Sequence, residues 1–201
     1  MRCPQCALVL TSDTTVCGQC QQHSPAYDAT FTAADYVAPL DQLALGLKFG
    51  AQLGLARWMA ARLRDALLQQ VELNKGHSLP DLLCPVPLGQ QRLSERGYNQ
   101  ALEIARPLAC SLGLALDARL CLRQVETSAQ SLLPLEQRAK NIKNAFLLAP
   151  HAIDTIHGLH IGVVDDVMTS GRTLDEMAKT LKRFGAARVS NFVFARTPPP
   201  A

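Results

Sequence analysis

At 201 residues, 48% hydrophobic and 18% charged, the chain is globular and long enough for one sizeable core plus a small appendage. No run approaches the ~20 apolar residues that cross a bilayer, so a membrane partner is not expected. A net charge of +3 and a pI near 8.5 are mildly basic: they suit an anionic small molecule and permit nucleic acid without demanding it.

The chain starts with a metal-type motif. Cys3-x-x-Cys6, ten intervening residues and Cys17-x-x-Cys20 supply two thiolate pairs that one tetrahedral ion can draw together. The reading is a small structural zinc ribbon over residues 1–24, with too few apolar residues to fold without its metal. An iron site, two disulfides and a redox Cys-x-x-Cys are the alternatives. Met1-Arg2 leads straight into Cys3 with no secretory signal, which argues for the cytoplasm and against disulfides. Neither pair sits in the βα unit of a redox motif. Cys84, Cys110 and Cys121 lie in apolar contexts and are expected as buried free thiols.

Residues 25–201 read as the main domain. After a connector over 21–25, Phe31 to Val37 predicts a strand and Pro39 opens a helix. Leu40, Leu43 and Leu47, then Leu53, Leu55 and Met59 to Leu67, recur at helical spacing, broken by an expected loop at Lys48-Phe49-Gly50. Arg57, Arg62 and Arg64 belong to the solvated face of the second helix rather than to a nucleic-acid stripe. A turn at Asn74–His77 precedes a buried strand over Leu82 to Val86. A helix over Tyr98 to Ser111 stops at Gly113, and 114–122 contains a short strand. Gln124 to Lys143, polar with few apolar anchors, reads as a mobile loop with a helical portion. His160 to Val164 is a strand, Thr173 to Phe184 a helix stopped by Gly185, and Val189 to Phe194 the last strand. The proline-rich tail from Thr197 is expected to be loose. The alternation predicts an α/β fold with a largely parallel sheet and helices on both faces. Ligands of such sheets bind beyond the carboxyl ends of the strands.

Ile161 to Thr173 carries the chemistry. An apolar run ends in Asp165 and Asp166; Val167 and Met168 follow; then Thr169, Ser170, Gly171, Arg172 and Thr173 open a helix. Backbone N–H groups of such a loop and the positive end of a helix hold a phosphate. The carboxylates suit sugar hydroxyls or magnesium. A ligand with a ribose beside one phosphate satisfies both halves. A second constellation is Pro85, Val86 and Pro87 followed by Arg92, Arg96 and Gly97. The prolines hold the chain extended as it leaves the sheet. Two arginines in a glycine-containing loop suit a diphosphate.

The Asp-Asp loop closely resembles the 5-phosphoribosyl 1-pyrophosphate (PRPP) signature of type I phosphoribosyltransferases. The ordered set of zinc ribbon, Lys48-Phe49, Pro85-Val-Pro87, Arg96 to Gln100, Gln130, Leu133, Arg138, Asn141 to Phe146 and Asp-Asp loop resembles the ComF/GntX family over nearly the whole chain. One departure is Ser170 in place of a common Thr. The resemblance implies a type I phosphoribosyltransferase-like sheet with an N-terminal four-cysteine zinc ribbon, and a link to DNA uptake and natural competence. It implies that Asp165 and Asp166 face the ribose hydroxyls, that the stretch ending at Thr173 grips the 5-phosphate, and that the Pro85–Gly97 segment meets pyrophosphate. Arg138 and Lys140 would lie in a closing loop. Zinc and magnesium are the implied metals. The expected function is magnesium-dependent transfer of phosphoribosyl to an unknown acceptor. The alternative is a non-catalytic protein that binds PRPP or single-stranded DNA, with DNA-uptake proteins as partners; a zinc-ribbon adaptor on a scaffold domain is a third class. No residue stands out as a general base, and the few aromatics weaken a strong single-strand-binding reading.

Overall fold

The computed structural model describes residues 1–10, 14–73, 78–123 and 145–199. The expected turn at Asn74–His77, the expected mobile loop with Arg138 and Lys140, and the end of the tail lie outside the described residues. In chain order the elements are α1 (Gly18–Gln22), β1 (Ala29–Asp35), α2 (Leu40–Phe49), α3 (Gly54–Leu73), β2 (Leu82–Pro85), α4 (Gln90–Arg96) and α5 (Gln100–Leu112). They continue with β3 (Ala115–Leu116), β4 (Cys121–Arg123), β5 (Phe146–Leu148), β6 (His160–Met168), α6 (Arg172–Arg183) and β7 (Arg188–Arg196).

Five strands form one parallel sheet in the order β1-β7-β6-β2-β3. From β2 the chain winds to one edge through β3; from β6 it winds toward the other through β7. The winding therefore reverses between β2 and β6, and a crevice opens at the carboxyl ends of those two strands. Their ladders differ in length. β6 pairs with β7 from His160↔Arg188 to Met168↔Arg196, but with β2 only from Leu82↔Ile161 to Pro85↔Val164. Val86 N–H donates the last rung to the Val164 carbonyl at 2.9 Å. The next rung does not form, because the Val86 carbonyl accepts from Asn99 Nδ2 and the Asp166 N–H donates to Asp165 Oδ1.

Each sheet face has its own core. On one, α3 presents Ala56, Met59, Ala60, Leu63 and Leu67, and α5 presents Ile104, Ala105 and Leu108, against Phe31, Val164, Phe192 and Phe194. These spacings make one apolar stripe per helix. Asn99 starts α5, its side chain accepting the Ala101 N–H at 3.0 Å, and Gly113 ends it at φ 66°. On the other face α6 buries Leu174, Met177, Ala178 and Leu181 against Ile161, Val163 and Val193. Cys3, Cys6, Leu8 and Cys20 belong to this same core, as do Cys121, Phe146 and Leu148 of the antiparallel β4–β5 ladder. The expected helices on both faces are present, but α6 shares its face with the cysteine module.

Some local expectations are revised. Lys48 and Phe49 form the last turn of α2 rather than a loop, and the break falls after Gly50. The 114–122 segment contributes to two strands, β3 and β4. Cys84 and Cys121 are buried, whereas Cys110 is exposed because it falls off the apolar stripe of α5. Arg57 and Arg62 are exposed, and Arg62 and Arg64 pair with Asp65 at 2.8 and 2.7 Å, as a solvated face requires. Among the described residues no helix is long and apolar enough to cross a membrane.

Gly162 lets Leu83, Phe192 and Pro80 close over β6. A Cβ there would lie 2.4 Å from Leu83 Cδ2, 2.7 Å from Phe192 Cε2 and 2.9 Å from Pro80 Cγ. Gly162→Ala is therefore expected to lower unfolding free energy by about 1–3 kcal/mol through overpacking. Urea denaturation at constant m-value measures this.

Candidate functional site

β6 runs past its last partner in β2, so Asp165 and Asp166 are strand residues at the crevice rather than loop residues beyond it. Both are half-buried. Asp165 Oδ1 accepts the Asp166 N–H and Asp166 Oδ1 accepts the Val167 N–H, each at 2.9 Å. The second oxygen of Asp166 is buried and has no hydrogen-bond partner among the described residues. Burial, and then the charge of Asp166, hold the Asp165 carboxyl well above the usual carboxylate range; Lys48 pulls the other way. Burying two adjacent carboxylates is costly, and such costs gather where a ligand is to be met.

Met168 is buried, and Val167 and Thr173 are half-buried. Thr169, Ser170 and Arg172 are exposed around a buried Gly171 that caps α6 at φ 77°. A Cβ on Gly171 would stand 2.5 Å from Met168 Cε and 3.0 Å from Tyr27 Oη, so both its dihedral and its surroundings call for glycine. The opening N–H groups of α6 have no intrahelical acceptors, and the turn presents them together. Behind the loop lies Arg196 of β7, 4% exposed, whose guanidinium donates to the carbonyls of Met168, Thr169 and Thr197 and to that of Cys6.

Across the crevice, Asn99 Nδ2 donates to the Val86 carbonyl at 3.0 Å, fixing the exit of β2. Arg92 and Arg96 stand on α4, a helix rather than the expected loop, and Gly97 ends it at φ 81°. Arg96 lies over the Phe49 ring at 5.4 Å and Lys48 Nζ at 5.5 Å. The Tyr98 hydroxyl donates to the Leu47 carbonyl, tying α2 to the start of α5. Arg123 on β4 feels both Asp165 and Arg92: burial and then Arg92 lower its pKa, while Asp165 raises it. Burial, then Asp41 and Asp166, keep the Tyr36 phenol protonated. The Asp-Asp strand, the Pro85–Pro87 exit and a set of cations thus meet at one end of the sheet.

The four sulfurs of Cys3, Cys6, Cys17 and Cys20 lie within 4.8 Å of one another, and all four thiols are free. Tetrahedral ligation at about 2.3 Å sets sulfurs roughly 3.8 Å apart, so the cluster fits a metal such as zinc. Burial pushes the Cys6 thiol up to about 11. Cys3 is also buried, yet N–H groups of Cys17, Cys6 and Gln5 outweigh this and bring it down to about 7.

Asp165→Asn keeps the acceptor for the Asp166 N–H and removes the buried charge. A carboxyl raised in the folded state binds its proton more tightly than the unfolded chain does, so its contribution to stability falls as pH rises through the carboxylate range. Asp165→Asn is therefore expected to melt higher than wild type at pH 7, by about 2–4 °C per kcal/mol recovered. The gain should vanish below the ordinary value of 3.8, where Asp165 is protonated in the folded and the unfolded chain alike; thermal melts across pH measure it. Cys17→Ser should lose bound metal and soluble yield together, read by metal analysis.

Comparison with known proteins places the chain. Residues 94–199 match the Phosphoribosyl transferase domain. Over 97% of its length the chain is 38% identical to DNA utilization protein YhgH of Salmonella typhimurium, covering 84% of that protein. It is 31% identical over 96% of its length to Competence protein F of Haemophilus influenzae, again covering 84%. A hypoxanthine phosphoribosyl transferase of Trypanosoma cruzi superposes at a TM-score of 0.43 over 73% of this chain and 75% of its own, at 15% identity. The chain belongs to the phosphoribosyl transferase domain family, in the group that holds YhgH and Competence protein F.

Proposed function

We propose that the crevice binds PRPP or a related ribose phosphate, and that the protein transfers the phosphoribosyl group to an acceptor as part of DNA utilisation. The observation that carries this is the buried oxygen of Asp166, without a partner among the described residues, immediately before the Thr169–Thr173 turn. A buried acceptor without a donor is expensive, and a ribose hydroxyl would supply the donor. Asp165 and Asp166 orient the ribose; the residues from Val167 to Thr173, chiefly the N–H groups after Met168, take the 5-phosphate. The Pro85–Pro87 exit with Arg92, Arg96 and Gly97 faces the diphosphate, joined by Lys48 and Arg123. Magnesium suits this oxygen-rich pair and would neutralise charge on the diphosphate. Displacement at the anomeric carbon develops positive charge, which the fixed carboxylates stabilise. Zinc is the metal we assign to the four cysteines, as a structural group in an N-terminal module.

The rim favours a second reading. Lys48, Arg92, Arg96 and Arg123 together with a 72% exposed Phe49 offer phosphate contacts and a stacking face, as a protein that holds single-stranded DNA without catalysis requires.

Calorimetric titration of PRPP with and without magnesium tests the first reading. Asp165→Ala with Asp166→Ala is expected to abolish magnesium-dependent binding and leave metal content unchanged; wild-type affinity in that double variant overturns the assignment. Salt-dependent binding of oligonucleotides without pyrophosphate release from PRPP would favour the second.

A further inference from the structure

Arg196 joins two parts of the protein that the function treats separately. Its Nε donates to the Cys6 carbonyl at 2.8 Å; its Nη1 donates to the Met168 carbonyl at 3.0 Å, to that of Thr197 at 2.8 Å and to that of Thr169. Every acceptor it has among the described residues is a backbone carbonyl. One side is the turn that carries two of the four cysteines: Ala7, at φ 58°, donates to the Cys3 carbonyl at 2.9 Å, and Cys3 to that of Leu8 at 2.8 Å. The other side is the point where β6 becomes the Thr169–Thr173 turn.

Between them lies a cleft of about 710 Å³, walled by Cys6, Cys20 and Ser24 and by Thr169 to Arg172, with Arg196 in its lining. Beside the apolar core that Met168, Leu174 and Tyr27 share with Cys6 and Cys20, discrete ties brace the loop. Besides Arg196 these are the Ala26 N–H to Asp175 Oδ1 bond at 2.7 Å and the Tyr27 hydroxyl against Gly171. A cysteine module of this size takes its shape from its metal. Without the metal the Cys6 carbonyl is free to leave, and a buried guanidinium donor is left unpaired. Recovering an acceptor requires the guanidinium to move, which releases the carbonyls of Met168 and Thr169.

We infer that Arg196 is a positioning residue that makes the order of the phosphate loop depend on metal at the four cysteines. The inference deepens the proposed ribose-phosphate reading, but its first readout needs no ligand. Hydrogen exchange is followed in peptides covering 169–175 and, as a control for the whole fold, in α5. Removing metal from wild type should speed exchange at 169–175 about tenfold, the loss of one charge-assisted bond, with α5 still protected. Arg196→Lys should retain metal, show the same loop exchange, and gain little more when metal is removed. Gln21→Ala, which breaks the 3.1 Å bond to the Val16 carbonyl in the other half of the module, should leave the response to metal intact. If Arg196→Lys loses α5 protection, Arg196→Gln, which keeps a donor and drops the charge, takes its place in the cycle. Unchanged loop exchange on metal removal overturns the inference. So does α5 opening together with the wild-type loop, or independent, multiplying effects of variant and metal removal. Ribose 5-phosphate titration should show a matching tenfold weakening; no binding to metal-loaded wild type overturns the function instead and leaves the exchange comparison standing.

Discussion

The early end of the β2–β6 ladder is the constraint on which the rest of the site depends. β6 is held by β7 along nine residues but by β2 only as far as Val164. The next rung is closed off on both strands, since the Val86 carbonyl accepts from Asn99 Nδ2 and the Asp166 N–H donates to Asp165 Oδ1. Had the ladder run on, residues 165–168 would have had strand neighbours on both sides, and the carboxylates would have been covered. Because it stops, Asp165 and Asp166 stand at an open edge, and their own side chains accept the next N–H groups along. The fold therefore makes the crevice by ending a sheet rather than by adding a loop, and both halves of the site inherit their positions from the strands.

The cysteine module belongs to this arrangement rather than hanging from it. A short segment with few apolar residues cannot close a core alone. Here Cys3, Cys6, Leu8 and Cys20 borrow the face of the sheet that α6 leaves uncovered. The bonds of Arg2 to Asp35 and of Thr30 N–H to the Pro4 carbonyl at 3.1 Å tie it along β1, while Arg196 ties it at β7. A module fixed at two neighbouring strands shares its stability with the sheet.

The long elements are legible in the sequence because their periodicity is strong: α3, α5 and α6 each show one apolar stripe, and β6 and β7 are continuous apolar runs. The Asp-Asp loop and the four cysteines are legible because their chemistry is local. α4 does not show as a helix because it buries none of its residues, so no stripe marks it. Lys48 looks like a loop residue, although it closes a turn of α2 that Leu47 anchors in the core. Arg123, Tyr36 and Arg196 carry no local signal. Each reaches the site by topology: Arg123 from β4, Tyr36 from just beyond β1, and Arg196 from a strand that ends beside Met168. Arg196 reads in sequence as an ordinary charge before a loose tail; only four carbonyls gathered from three segments show that it is buried.

The same contrast between local and gathered features governs the electrostatics. A net charge of +3 over 201 residues describes a nearly neutral molecule. Yet the cations are unevenly used: Arg62 and Arg64 share Asp65, Lys179 pairs with Asp175 and Lys182 with Asp28, all largely spent on the surface. Lys48 and Arg123 instead act on Asp165, and Arg92 acts on Arg123. Like charges at close range, as for Arg92 with Arg123 and Asp165 with Asp166, cost stability in the free protein. A ligand bearing several anionic oxygens and a pair of hydroxyls relieves both repulsions at once. The strain that sequence composition averages away is thus concentrated where such a ligand would remove it.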